Sequence, residues 1–236
     1  AGAPCPSTCR PMKQLRALLF TALLLVSSLA LSAQTTKYAA IIKALGQTEL
    51  LDEDRRTQLA TLLVQDSALS LPMELDLGAK LLAVSEHSLR LQTSPVGTAE
   101  LRLLPLTSGQ GPLTTLIETV NSPQVDARIS FLSASGEALP STTLLRLPSS
   151  EDFLRGLQLP MSTASDRLRE LLYPLHYELS WAQGTSVPTL IVRPTLLLSE
   201  EDKQSDELKA LIAQLPALTT TWGGQSFAPF VRATNP

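Results

Sequence analysis

Val125-Asp126-Ala127-Arg128-Ile129-Ser130-Phe131 is the stretch on which the fold turns. Val125, Ala127, Ile129 and Phe131 alternate with Asp126, Arg128 and Ser130, and a period of two places the apolar set on one side of a strand and the polar set on the other. That alternation predicts a sheet buried on one face. Working outward, short alternating segments recur at Lys80–Val84, His87–Gln92, Thr98–Leu104, Leu113–Val120 and Thr142–Leu147. Turn chemistry separates them at Ser94-Pro95-Val96-Gly97, Ser108 to Pro112, Asn121-Ser122-Pro123 and Ser135-Gly136. Connections this short favour antiparallel hairpins over crossovers. Further strands are expected at Leu175–Trp181 and Pro188–Arg193, then over Leu218, Thr220 and Trp222, with a short last one within Phe227–Val231.

Helical spacing appears in three places. Ahead of the strands, Ala39, Ile41, Ile42 and Leu45 form one apolar stripe, and Leu51, Leu59, Leu62 and Leu63 form another behind Asp52, Glu53 and Asp54. In the middle, Ser149 or Ser150 caps Glu151 to Leu157, and Thr163 to Asp166 resembles a capping box before Leu168, Leu171 and Leu172. Near the end, Ser199 to Asp202 has capping-box spacing ahead of Leu208, Leu211, Ile212 and Leu215. The fold class expected is α+β, a largely antiparallel sheet of meander-like hairpins with the N-terminal, middle and C-terminal helices packed on one face. With no internal repeat and no long linker, residues 34–236 read as one domain.

The beginning of the chain has a different character. From Met12, Lys13 and Arg16 precede an apolar run from Ala17 to Leu31, closed by the small residues Ser28, Ala30, Ser32 and Ala33. This is the order of a cleavable secretory signal peptide over residues 12–33. The run contains Thr21, Ser27 and Ser28 and falls short of the ~20 apolar residues of a spanning helix, so membrane contact is expected only through this segment before cleavage. Residues 1–11 read as an upstream extension or cloning remnant, and they hold both cysteines, Cys5 and Cys9. The mature domain is therefore expected to be free of cysteine, in the periplasm or cell envelope or secreted. Removing the leader takes Arg10, Lys13 and Arg16 and no acid, leaving 16 basic residues against 22 acidic ones, a net charge of −6. Nucleic acid is not expected as a partner of so acidic a chain; an envelope protein or glycan is.

These segments taken together resemble a family of exported proteins of unknown function from anaerobic Gram-negative bacteria of gut and mouth. The resemblance is carried by Ala33-Gln34 after the leader and by Val125 to Phe131 followed by Pro148 and Glu151-Asp152-Phe153. It continues in Leu198-Ser199-Glu200-Glu201-Asp202-Lys203 and Trp222-Gly223-Gly224-Gln225-Ser226-Phe227. The family pattern has aspartate, serine and arginine ahead of the isoleucine, with an aromatic pair after it. Here Ala127 stands for the serine and Leu132 for the second aromatic, which argues against a nucleophile at that position. The resemblance implies export and a shared fold, and brings no activity, ligand or catalytic residue with it.

The chemistry on offer is sparse. His87 and His176 are the sole histidines, which restricts acid–base and metal chemistry. His176 shares a strand face with Glu178 and Ser180, but no G-x-S-x-G elbow accompanies them. The acidic runs Asp52 to Asp54, Glu151-Asp152 and Glu200 to Asp202 each open a helix, where carboxylates complement the free N–H groups. No calcium loop, H-E-x-x-H, phosphate loop or dinucleotide fingerprint occurs. No catalytic residue, cofactor or metal ligand is therefore assigned, and Asp126, Arg128, His176 and Glu178 stand as candidate binding residues. Trp181 and Trp222 each close an alternating apolar series and are expected in the core. A non-catalytic binding or structural module is the favoured function, with a hydrolase of envelope or dietary polymers as the alternative.

Overall fold

A computed structural model describes residues 37–65, 70–75, 78–109 and 111–233; the expected leader, Cys5 and Cys9 lie outside them. The chain opens with helices α1 (Ala39–Gly46) and α2 (Glu53–Gln65) and then lays down β1 (Met73–Glu74), β2 (Lys80–Val84), β3 (Ser88–Ser94) and β4 (Gly97–Leu104). It continues with β5 (Leu113–Val120), β6 (Asp126–Leu132) and β7 (Ala138–Leu139). Three short helices follow, α3 (Ser141–Leu144), α4 (Ser150–Leu154) and α5 (Thr163–Leu171), and then the pair β8 (His176–Trp181) and β9 (Thr189–Thr195). A 3₁₀ turn over Asp202–Gln204, helix α6 (Asp206–Ile212), β10 (Leu218–Thr221) and β11 (Val231–Arg232) complete it. The fold is α+β and every strand pairing is antiparallel.

The strands divide between two sheets, a partition that alternation within single strands does not reveal. One sheet is a seven-stranded meander in chain order β1 to β7; the other has four strands in the order β11-β10-β9-β8. Register explains how both faces of the meander are used. Leu89, Leu101 and Leu116 stand side by side across β3, β4 and β5, and α1 and α2 cover that row with Ile41, Leu45, Leu59 and Leu63. The next row, on the opposite face, is Arg90, Glu100, Ile117 and Ile129. Only its apolar half is covered, by the second sheet, which packs Leu179, Trp181, Leu190, Val192 and Leu218 against Ile117, Ile129 and Phe131. Strand β6 is thus buried on one face as its alternation predicts, whereas Leu113 to Ile117 of β5 are buried on both.

Aromatic rings close the space between the sheets. Phe227 lies 5.1 Å from Trp222, 6.1 Å from Phe131 and 6.2 Å from Trp181, centroid to centroid. The Trp222 indole N–H donates to the Pro105 carbonyl at 2.6 Å, and both tryptophans are buried, as expected. A third cluster joins α5 to α6 through Leu168, Leu172, Leu208 and Leu211. Arg167 clamps it from outside, its guanidinium donating to both Asp202 carboxylate oxygens at 2.9 Å.

Four local expectations are corrected. Thr142–Leu147 is not a strand: Ser141–Leu144 makes one helical turn, closed by Leu145 N–H on the Ser141 carbonyl and Thr143 O–H on the Pro140 carbonyl. Local side-chain bonding here outweighs the β preference of two adjacent threonines. The cap of α5 is Ser162, one residue before the expected box. The C-terminal helix is split, because Ser199 and Asp202 bond each other across a turn that leads into the 3₁₀ segment and Ser205 separately caps α6. The last strand sits at Val231–Arg232, while Phe227 makes an isolated bridge to Trp222.

Candidate functional site

The uncovered half of the Arg90–Glu100–Ile117–Ile129 row becomes the floor of a cleft. β8 is the edge strand of the second sheet, and it runs close above β5 and β6 without hydrogen-bonding to them. The space left between is a cavity of about 210 Å³. Its floor is Arg90 from β3, Thr98 and Glu100 from β4, and Ile117 and Thr119 from β5. Its wall is Glu178, Ser180 and Trp181 from β8, with Asn121 and Gln183 at the loops. Pockets that engulf a drug-sized ligand run to roughly 300–1,000 Å³. A smaller, polar cleft suits one residue or ring of an extended ligand.

The electrostatics of this floor are unsettled in a specific way. Glu100 is partly buried, and loss of water raises its pKa above the ordinary value in spite of Arg90 and Arg102, whose positive charges act the other way. Burial also lowers the Arg102 pKa, with Glu100 opposing. The Arg102 guanidinium lies 5.0 Å from the centroid of the Trp181 ring, a cation–π distance. Yet among the described residues no ion pair joins Arg90, Glu100, Arg102 or Glu178 to any partner. The Trp181 indole N–H is also buried without a hydrogen-bond partner, although buried donors are nearly always satisfied.

The four residues expected at a binding site are dispersed. Asp126 and His176 meet where β6 and β8 begin, Nδ1 of the histidine 3.3 Å from Oδ2 of the aspartate, with about a third of each side chain exposed. Beside them the Thr195 hydroxyl donates to the Val125 carbonyl at 2.6 Å, tying the two sheets together. Glu178 alone of the four lines the cleft. Arg128 is exposed and stands opposite Glu118 in register, on the face away from the cleft floor. Arg90 and Glu100 escape the sequence reading because a register shift between Gln92 and Ser94 sets Arg90 opposite Glu100, where counting from the Ser94–Gly97 turn pair would set it opposite Leu101.

The acidic runs are structural. Asp52 accepts the Arg55 N–H, Asp152 the Ser149 N–H and Asp202 the Ser199 N–H, each at 2.9 Å. Among the described residues no group of three or more His, Cys, Asp or Glu side chains is arranged to hold a metal ion, and no helix is long and apolar enough to cross a membrane.

A family model for proteins of unknown function, DUF3256, matches residues 34–227, nearly the whole length in which these sheets and helices lie. The chain belongs to the DUF3256 family. Its match ends on Phe227, the ring at the centre of the aromatic cluster. A solved structure of a domain of an uncharacterized protein from Porphyromonas gingivalis W83 is similar, with a TM-score of 0.62 at 22% identity, over 82% of this chain and 96% of that one. At that identity the likeness speaks for the DUF3256 fold alone. No curated protein matches the chain.

Proposed function

We propose that this member of DUF3256 is exported and serves in the cell envelope as a non-catalytic binding module, its ligand seated in the cleft between the meander and β8. The observation that carries the reading is the half-covered sheet row, which places Arg90, Thr98 and Glu100 in a cavity with Glu178, Ser180 and Trp181. Strand side chains on a rigid sheet are already in place before a ligand arrives, which limits the ordering cost of binding. Export rests on the order of charges, apolar run and small residues over 12–33.

Immobilised protein should retain a fraction of native envelope glycan or protein, and the cleft-blocking variant Ser180→Trp should lose it while melting within a few degrees of the parent. N-terminal sequencing of the exported protein should begin between Leu31 and Gln34; a chain still carrying Met12 would overturn export. The hydrolase alternative has one observation in its favour, since Glu100, with its raised pKa, and Glu178 line one cleft. Turnover of the retained polymer that disappears in Glu178→Gln would replace the binding module with an enzyme.

A further inference from the structure

We propose that β8 is a docking edge for an extended polypeptide, which lies in the cleft as a fifth strand of the smaller sheet. This inference rests on the binding-module reading and adds the chemical class of what is bound, a peptide main chain. Four strands form the edges of the two sheets: β1, β7, β11 and β8. The first three have two residues each, the short form in which exposed edges are ordinarily left. β8 has six, His176 to Trp181, with no proline, lysine or bulge to blunt it.

The direction of its main-chain groups follows from the ladder. The Ala182 N–H donates to the Thr189 carbonyl, so every second residue back from it, Ser180, Glu178 and His176, turns its N–H and C=O toward β9. Tyr177, Leu179 and Trp181 turn theirs away. Pro194, with no N–H to give, stands opposite Tyr177, where that phase asks for none. The cavity runs along this outward edge. Consecutive strand residues point to opposite faces, yet Glu178, Leu179, Ser180 and Trp181 all line it and no residue of β9 does. Among the described residues no strand other than β9 pairs with β8. The Trp181 carbonyl accepts from the Gln183 side-chain amide at 3.4 Å, longer than an ordinary bond.

An incoming strand presents an N–H and a C=O at every second residue, about 7 Å apart, the spacing from Leu179 to Trp181 in an extended chain. The chain of a glycan carries neither group. The buried Trp181 indole N–H, unpaired in a residue that lines the cavity, needs an acceptor, and a peptide brings one carbonyl per residue. Beneath, Arg90, Thr98, Glu100 and Thr119 make a polar floor for the alternate side chains that a docked strand turns toward the meander.

Nuclear magnetic resonance of the full-length exported protein with the capped peptide acetyl-Thr-Val-Thr-Val-Thr-amide tests this. In the free protein the Leu179 and Trp181 amides should exchange with solvent about tenfold or more faster than those of Glu178 and Ser180, which are bonded to β9. Peptide at millimolar concentration should slow the first pair alone. It should also move the Trp181 indole signal and leave that of Trp222, already bonded to the Pro105 carbonyl, in place. Methylating every peptide nitrogen removes its donors and should weaken binding about tenfold or more, and Ser180→Trp should block it. Equal exchange of the two amide pairs, no response to the peptide, or equal binding of the methylated form overturns the docking edge. So does an N-acetylglucosamine tetramer that moves the Trp181 indole signal where the peptide does not, a result that leaves the module reading standing on a glycan. The module reading falls separately, if the immobilised protein retains no envelope material.

Discussion

The two sheets of this molecule are connected alike and filled differently. Both pair only strands that follow one another in the chain, and the core between the meander and α1 and α2 is almost wholly leucine, isoleucine and alanine. The four-stranded sheet takes a helical insertion between β9 and β10, and its core against the meander holds Phe131, Phe153, Trp181, Trp222 and Phe227. Two facing sheets stand about 10 Å apart, and here large rings fill much of that gap. The lesson is that period and turns specify the ladders within each sheet, and a few large anchors far apart in the chain specify how the two sheets face each other.

The sharpest way to break this contrast is at the anchors. Trp222→Ala should cost about 3–5 kcal/mol, the range for a large buried aromatic, and should collapse near-ultraviolet ellipticity while the far-ultraviolet strand signal survives longer in urea. Leu59→Ala, between α2 and the meander, should cost roughly 2–5 kcal/mol without separating the two signals. Coincident loss of both signals in Trp222→Ala would show that the layers unfold as one unit.

A smaller effect is expected at Gly224, which has φ +90° and accepts the Thr107 N–H at its carbonyl. A Cβ there would run into Thr107 Cγ2. Gly224→Ala should lose roughly 1–3 kcal/mol, and adding Thr107→Ala should return part of it; a double variant no better than the single would put the whole cost on the backbone angle.

Acid should then act on the helix-rich side. The Arg167 guanidinium holds Asp202 well below its ordinary pKa, with help from the Ser199 N–H. Asp152 is lowered by the Ser149 N–H and hydroxyl, and Asp52 by the Arg55 N–H. Because these folded-state values are depressed, the stability they add is complete above the unfolded carboxylate range and is lost as pH falls through the folded values. Glu100 has the opposite sign: its penalty is complete above its raised folded pKa and is relieved as pH falls through it. Melting temperature followed from pH 7 to pH 2 should therefore fall most steeply below roughly pH 4, less so in Asp202→Asn. Glu100→Gln should gain most over the parent at the neutral end.

The weakest link is the pair at which the two sheets touch. A double-mutant cycle on Asp126→Ala and His176→Ala should return about 0.2–1 kcal/mol of coupling, the range of a partly exposed ion pair. A coupling above about 2 kcal/mol would mark that contact as a buried-type anchor in its own right.

What could be read from the residues follows the same division. β2, β5 and most of β3, β4 and β6 lie where alternation and turn residues put them, since a hairpin is encoded within about twenty neighbouring positions. The division into two sheets was illegible, because no local period says which strands will share a ladder and which will face each other. Asp126 and Glu178 were singled out by their polar strand faces, and one of them lines the cleft. Arg90 and Glu100 were passed over because they sit in strands that look like any half-buried strand. Their interest lies in being the uncovered part of a row whose other members are buried, a property of the second layer.

The Trp222–Phe227 corner has a consequence in time. Its ring contacts, and an indole bond that spans 117 positions back to Pro105, can form only long after Pro105 has been made. The strands of the meander and its helices are complete by Leu139 and pair only among themselves, so their ladder is free to form before the second sheet has been made. The second layer comes later. A chain halted before His176 holds the meander strands with the Ile117, Ile129 and Phe131 face bare of Leu179, Trp181, Leu190, Val192 and Leu218, an adhesive intermediate that lasts until the second sheet has been made. Until that corner closes, the bare face is open to any apolar surface that it meets.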